Sequence, residues 1–572
     1  MSVQDKGILN KEYDVIVVGG GGINGLACAA YLQKAGLKVA CFDRAHEAGV
    51  FCNTDEVLHP GVKLNFCVNL TVTPHSPAFE ELELERFGFE PLTSSEWGIF
   101  HAFEDKTAVM WHNWDMRKQV EQWARFSEKD AETLRKLTNY LAPHWPDLIQ
   151  ASAFSTPNQE AYEKQAKILA GCPVIPKGDP HIGEATGFEL CDLIWESEKI
   201  KTAILAMAVA GGHEPWTRGT GLGIALFRPF IGTVIANGYI ARGGSHYLTH
   251  ALVRCFLHYG GALFQGCRVD KIIVENNTAK GIILSKDAIF PEAEIRATKA
   301  VVSNVSVKPT FLEMIGADKL KPEHVAGVKA YQYDSDILFT NYYVLNEKPK
   351  WPGFPPEVND IAVFNWGCET PADILRLYND HVQEKLPDPP IAIGGSCQGY
   401  CLVDPTQAPK GQYTVMTWTE VPYNIRRYGG PMAWDDLREE YGDKVEDYLV
   451  KFLGNVKSAK VARYICTPLD NYRRNPSAIE GTWSGGPRYR ISQYWSNKPF
   501  IGCNAPKSPI DKLYLSQSIW PVSSSALSMG YIAASAIAED FGVRKQDWWN
   551  VKAIEPFWRM LKRQGHEPVL TV

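Results

Sequence analysis

Residues 13–43, "YDVIVVGGGGINGLACAAYLQKAGLKVACFD", constrain this chain more than any other stretch. Ordering four consecutive glycines is entropically costly, so something must require so bare a backbone. "YDVIVV" is a continuous Val/Ile-rich run, as expected of a parallel strand buried on both faces. After it, one register gives G-x-G-x-x-G: Gly20, Gly22 and Gly25. In such a loop the first glycine allows a tight turn and the second lets a pyrophosphate approach the backbone. The third lets the following helix pack closely on the strand. The spacing predicts a helix from about Asn24 to Lys34, presenting Leu26, Ala29, Ala30 and Leu32 and ended by Ala35–Gly36. A second strand, "LKVACFD", finishes at Asp43, where a carboxylate can accept hydrogen bonds from an adenosine ribose. Together these parts specify a cradle for a dinucleotide.

With 572 residues the chain can hold two or three domains, or one large two-part enzyme. Its net charge is -6 and no long run of Lys or Arg occurs, which excludes a basic stripe for nucleic acid. No window reaches the ~18 apolar residues of a membrane-spanning helix. "TAILAMAVAGG" (202–212) is too short, and Arg228–Pro229 interrupt "GLGIALFRPFIGTVIANGYIA"; both read as buried core, with a pocket wall or a peripheral membrane contact as the alternatives. The polar amino terminus "MSVQDKGILNKEYD" lacks the apolar centre of a secretory signal. The 13 cysteines show no paired spacing, since Cys397 and Cys401 in "CQGYC" have no matching second pair. Reduced thiols in a cytoplasmic compartment are the expectation. No set of ligands stands at metal-site spacing, so no metal is expected, and there is no nucleophile elbow.

Two features select FAD among dinucleotides. In many flavoproteins the strand acid is followed by a basic residue and a glycine turn, and Arg44 and Gly49 stand in those places. Downstream, residues 243–284 read as an amphipathic helix, a turn at "YGG" and two strands, with Leu248, Leu252 and Phe256 on one helix face. "ATKAVVSNV" (297–305) reads as a further buried strand, so the dinucleotide domain resumes after a long insertion.

The segments 13–43, "SPAFEELELERFGFEP", "ARGGSHYLTHAL", "VVSN", "DPTQAPKGQYTV" and "LYLSQSIWPVSSSALSMGYIAASAIAEDF" occur in the order seen in phytoene desaturase-like flavoproteins, a branch of the flavin amine-oxidase superfamily. The chain resembles that family from about residue 13 to 543, most loosely over 100–240. It looks closest to bacterial and mitochondrial members of ill-defined substrate. The resemblance implies an α/β protein with a Rossmann-like FAD-binding domain of the GR2 type, built from segments 1–95, 241–310 and 496–545. An α+β substrate domain would comprise 96–240 and 311–495, followed by a tail over 546–572. It further implies that Gly20, Gly22, Asn24, Gly25 and Asp43 hold the ADP half of FAD and that the backbone of Val269 faces the adenine. The segment after "LYL" (513–515) would run beneath the isoalloxazine ring. There the chain departs from the family: Gln517 and Ser523, Ser524 and Ser525 stand where glycines are usual. Serines still offer backbone N–H groups at a helix amino terminus to stabilise a reduced flavin, and they can cap the helix.

Function follows as expectation. The family implies a hydride passing from substrate to flavin N5, with desaturation of a C–C bond first and oxidation of an alcohol or amine next. Trp97, Trp111, Trp114, Trp123, Trp145, Trp195, Trp216, Trp366, Trp418, Trp483 and Trp495 in the substrate portions suit a cavity for a hydrophobic or aromatic small molecule, with ordinary core or surface positions as the alternative for most of them. No second strand-linked G-x-G-x-x-G exists, because "GTGLG" (219–223) lacks the strand. Oxygen, a quinone or a redox protein is therefore the expected electron acceptor. His213 with Glu214 in "GGHEPW", and His75 in "VTPHSPAF", are the candidates for proton transfer, with a structural turn as the alternative at each. A redox-neutral isomerase and a non-catalytic prenyl-protein escort protein on the same fold are the rival readings. The amphipathic tail would dock on the body or at the interface of a homo-oligomer.

Overall fold

In the computed structural model, residues 9–572 are described apart from 69, 94, 157, 178–180, 235–238, 334–336, 483–484, 486–498 and 518–523, and apart from the side chains of 231, 233, 234 and 524. The Val/Ile run forms strand β1 (Glu12–Val18), the glycines turn the chain into helix α1 (Ile23–Lys34), and the chain returns as β2 (Val39–Phe42). The unit resumes far downstream with helix α2 (His246–His258) and strands β3 (Ala262–Phe264), β4 (Val269–Glu275), β5 (Thr278–Leu284) and β6 (Glu294–Ser303). It closes with β7 (Leu513–Leu515) and α3 (Ser528–Asp540). The seven strands make one sheet in the order β4-β5-β6-β1-β2-β3, with β7 on the carboxyl-terminal half of β6. β1 pairs in parallel with both neighbours, so that Val15–Val18 lie opposite Val39–Phe42 and opposite Ala300–Ser303.

Helices cover this sheet, and Val15, Ile16 and Val17 have no exposed surface. α1 is buried from Ile23 to Leu32, because the sheet, α2 and α3 all press on it. Its small residues permit that crowding: a Cβ on Gly530 of α3 would stand 2.4 Å from the Asn24 carbonyl oxygen. On α2, Leu248, Leu252 and Phe256 are fully buried, the face expected from their spacing.

A second sheet runs Lys460–Cys466, Leu338–Leu345, Tyr413–Glu420, Ala392–Gln398, Val363–Trp366, Trp97–Ala102 and Ala108–His112 in spatial order. The fifth and sixth of these pair in parallel; the other neighbours are antiparallel. Alternation splits its side chains between two cores. Phe339, Tyr343 and Val415 pack in a core with Val445 and Leu449 of the helix Trp434–Leu449, while Tyr342, Met416 and Trp418 join the main core that contains β1 and α1.

Most of the described tryptophans take the core reading. Trp111, Trp123, Trp145 and Trp366 are fully buried, and they pack edge-on or tilted against one another and nearby rings, as with Trp123 and Trp195 at 5.2 Å. None of the tryptophans among the described residues borders the large cleft described below, and Trp483 and Trp495 lie outside the described residues. They fill cores, as large aromatics ordinarily do. Residues 202–212 fall largely in the buried helix Glu198–Ala210, and among the described residues no helix is long and apolar enough to cross a membrane.

The tail docks on the body. Trp549 stacks on Tyr31 of α1 at 4.8 Å, and Phe557 of the terminal helix α4 (Glu555–Arg563) meets the His75 ring at 4.4 Å. Glu81, buried between them, accepts from the Tyr31 hydroxyl at 2.6 Å and from the Val551 N–H at 2.8 Å.

Candidate dinucleotide site

A cleft of about 1090 Å³ opens at the carboxyl ends of β1, β2 and β6, where ligands of parallel sheets bind. Each glycine of the loop is bare because a neighbour leaves no room for a Cβ, and Asn304 Nδ2 crowds both Gly22 and Gly25. A Cβ on Gly20 would stand 2.5 Å from the Cβ of Cys41, one on Gly22 2.6 Å from Asn304 Nδ2, and one on Gly25 3.2 Å from both the Gly19 carbonyl oxygen and the Gly20 Cα. Gly22 thus serves close packing against a side chain as well as access to the backbone. It is also the N-cap of α1, where no side chain caps the helix and no acid occupies the first turn. The first-turn N–H groups and the positive end of the helix dipole are therefore open to an anion.

Asn304, the last residue of "VVSN", joins the site through the fold and not through any spacing in the sequence. Its Nδ2 donates to the Gly19 carbonyl at 3.0 Å and its Oδ1 accepts from Ser516 Oγ at 3.2 Å, so it ties the loop to the end of β7. Its place directly after a buried strand is the one local signal that could have marked it. Asn24 lines the cleft, and its Oδ1 accepts from the Gly530 N–H at 3.1 Å.

Asp43 is buried at the end of β2. Its Oδ2 accepts from the Gly21 N–H and its Oδ1 from the Ala45 N–H, each at 2.9 Å. Burial raises its pKa; the two N–H groups and the neighbouring Arg44 oppose that rise. A carboxylate has about four acceptor positions, so two remain for the hydroxyls of a ribose. Arg44 lines the cleft beside it. Gly49 has φ +117°, its N–H donates to the Gly21 carbonyl at 2.8 Å, and a Cβ there would stand 2.7 Å from the Cys52 carbonyl oxygen. Val269, at the start of β4, borders the same cleft.

Gln517 follows β7 and lines the cleft at 6% exposure, and neither its amide oxygen nor its amide nitrogen has a hydrogen-bond partner. An amide buried without partners costs about 1–3 kcal/mol. This one is aimed where a polar ligand would satisfy it. Ser523 and the Ser524 side chain lie outside what the structure describes. Ser525 does not cap α3: its Oγ accepts from the Val72 N–H at 3.2 Å and its carbonyl from Thr73 Oγ1 at 2.6 Å. The helix starts only at Ser528, after Leu527 turns through φ +59°. The capping expectation fails there because this left-handed residue separates the serines from the helix.

The proton-transfer candidates do not converge on the cleft. His213 Nδ1 lies 2.9 Å from the Gly211 carbonyl oxygen, and Glu214 Oε2 accepts from Thr217 Oγ1 at 3.0 Å, a turn at the end of the helix Glu198–Ala210. His75 Nδ1 meets the Val72 carbonyl oxygen at 3.1 Å under α4. None of the three borders the cleft.

The strand–glycine–helix–strand unit with its buried acid, resumed by β3–β7, defines an α/β protein with a Rossmann-like dinucleotide-binding domain. Residues 17–82 match the NAD(P)-binding Rossmann-like domain family. The chain is similar to one of the subunits of the limonene dehydrogenase of Castellaniella defragrans, with 25% identity over 562 residues covering 94% of this chain and 96% of that one. It is also similar to the lycopene-forming phytoene desaturase of Pseudescherichia vulneris, 24% identical over 238 residues, 41% of this chain and 43% of that one. Among solved structures, cyclohexylamine oxidase of Brevibacterium oxydans shares the fold with a TM-score of 0.53, at 15% identity over 93% of this chain and 99% of that one. The chain is thus similar in sequence to a dehydrogenase and a desaturase, and in fold to an amine oxidase.

Proposed function

We propose that the protein uses FAD to dehydrogenate a hydrophobic small molecule, forming a C=C bond, and passes the two electrons to oxygen, a quinone or a redox protein. The observation that carries this reading is the cleft itself: a glycine loop, an uncapped helix terminus, a buried acid with free acceptor positions, and an unsatisfied amide after β7. These residues fit FAD. Gly22 and the amino terminus of α1 would hold the pyrophosphate, Asp43 the adenosine ribose, and Gln517 polar atoms nearer the flavin. When bound, the flavin supplies the hydride acceptor.

The chain's own part is binding and exclusion. Asp43 is fixed by two backbone donors, so it meets a ribose without reorganising. Asn304 holds the glycine loop in its binding conformation. The segment 472–482 contributes a further wall of the cleft, where Arg474 is pinned by Asp55 at 2.6 Å and lies over the Phe66 ring at 4.2 Å. One of the relatives matched along nearly its whole length is named for limonene, which supports an apolar hydrocarbon as the substrate class.

The test is an absorption spectrum of the purified protein before and after heating. Flavin bands near ~370 and ~450 nm, with FAD released on denaturation, are expected. Anaerobic addition of cyclic and acyclic alkenes should bleach the longer band. A protein that stays colourless after incubation with FAD would overturn the reading; a flavoprotein that no apolar substrate bleaches would overturn the substrate class alone.

A further inference from the structure

Outside the glycine loop, one cluster of side chains has no role in the site just described. His246 and His250 lie one turn apart on α2, on the same face. Their rings are 4.2 Å apart between centroids and inclined by 36°. Glu47, from the loop that follows β2, brings Oε1 to 3.8 Å from His246 Nε2. One ligand atom from each of Glu47, His246 and His250 lies within 4.8 Å of the other two. The sequence could not show this grouping, because the carboxylate and the histidines are joined only by the fold.

We propose that Glu47, His246 and His250 bind a divalent transition-metal ion of the zinc class. Two imidazoles and a carboxylate suit zinc and its neighbours, whereas magnesium and calcium prefer all-oxygen sites. The His246 ring is nearly buried, and Nε2, the nitrogen that faces Glu47, donates to the Ala48 carbonyl at 2.8 Å; an ion seated between His246 and Glu47 would take the place of that hydrogen bond. Glu47 is well exposed and on a flexible stem, so it can close onto an ion held by the two rings. The ion would fasten the loop 44–52 to α2. Glu47 and Ala48 also border the dinucleotide cleft, but the binding set includes no part of a cofactor, so the site stands whether or not FAD binds.

The test titrates Zn2+ calorimetrically into tag-free protein stripped with a chelator, flavin-loaded and flavin-free. One ion per chain is expected in both forms, with affinity at least tenfold weaker in His250→Gln and in Glu47→Gln. His181→Gln, which alters a side chain 76% exposed and outside the cluster, should leave binding unchanged. Zn2+ should raise the melting temperature of the parent protein and not of Glu47→Gln, an exposed substitution that leaves the core intact. Equal affinity in the parent and in both cluster variants, or no stoichiometric binding, would overturn the proposal.

Discussion

The Asn304 amide nitrogen donates to the Gly19 carbonyl at 3.0 Å, and the same nitrogen stands 2.6 Å from where a side chain on Gly22 would begin. Gly22→Ala must therefore push Asn304 off the loop. Flavin content should drop at least tenfold while the circular dichroism of the fold persists. Adding Asn304→Ala removes the obstruction, and the double variant should regain part of the flavin. Equal flavin in Gly22→Ala and the parent protein would show that Asn304 is not the constraint.

Gln517 should act in opposite directions on stability and on binding. With no partner for either amide atom, the side chain destabilises the flavin-free protein by about 1–3 kcal/mol. Gln517→Leu should raise the melting temperature of the flavin-free form and weaken FAD binding by about tenfold, which is ~1.4 kcal/mol. A parallel change in both measurements would contradict a ligand-facing role.

Glu81 gives stability a pH dependence. Burial, the largest cause, raises its pKa from 4.5 to about 7, against the opposing bonds from Tyr31 and Val551. The folded state thus holds the proton more tightly than the unfolded chain does. The stabilising contribution is full below pH 4.5 and is lost as the pH rises through about 7. The total is about 3 kcal/mol. In urea titrations across this window, the parent protein should lose stability relative to Glu81→Gln as the pH rises; a flat difference would refute the assignment.

Trp549 anchors the tail. It is 1% exposed, stacked on Tyr31 and covered by the Arg544 guanidinium at 4.4 Å. Trp549→Ala should cost about 3–5 kcal/mol, the range for truncating a buried aromatic. Limited proteolysis should then cut first within residues 545–572.

What the sequence revealed follows the reach of each interaction. β1, α1, β2 and Asp43 were legible because the loop, helix and acid are set by spacing within thirty-odd residues. The buried face of α2 was legible for the same reason, through its period. Asn304 was not, since its purpose is a carbonyl that belongs to a distant turn. The serines after "LYL" looked like caps because hydroxyls cap helices in general; nothing local announced that Leu527 would interpose a left-handed residue. Composition left the tryptophans open between a cavity wall and a core, and only the fold shows Trp111, Trp123, Trp145 and Trp366 in the core. Glu47 and the histidines needed the fold to meet at all.

β6 takes partners from three parts of the chain: β5 beside it, β1 from the amino terminus, and β7 more than two hundred residues further on. On a ribosome adding roughly 5–20 residues per second, β1 waits many seconds for β6 and longer still for β7 and α3. Through that interval the largely apolar α1 has neither its sheet nor its covering helix. Newly made amino-terminal segments must be shielded from one another, and a protein cut short before Leu513 should be a client of chaperones rather than a smaller enzyme.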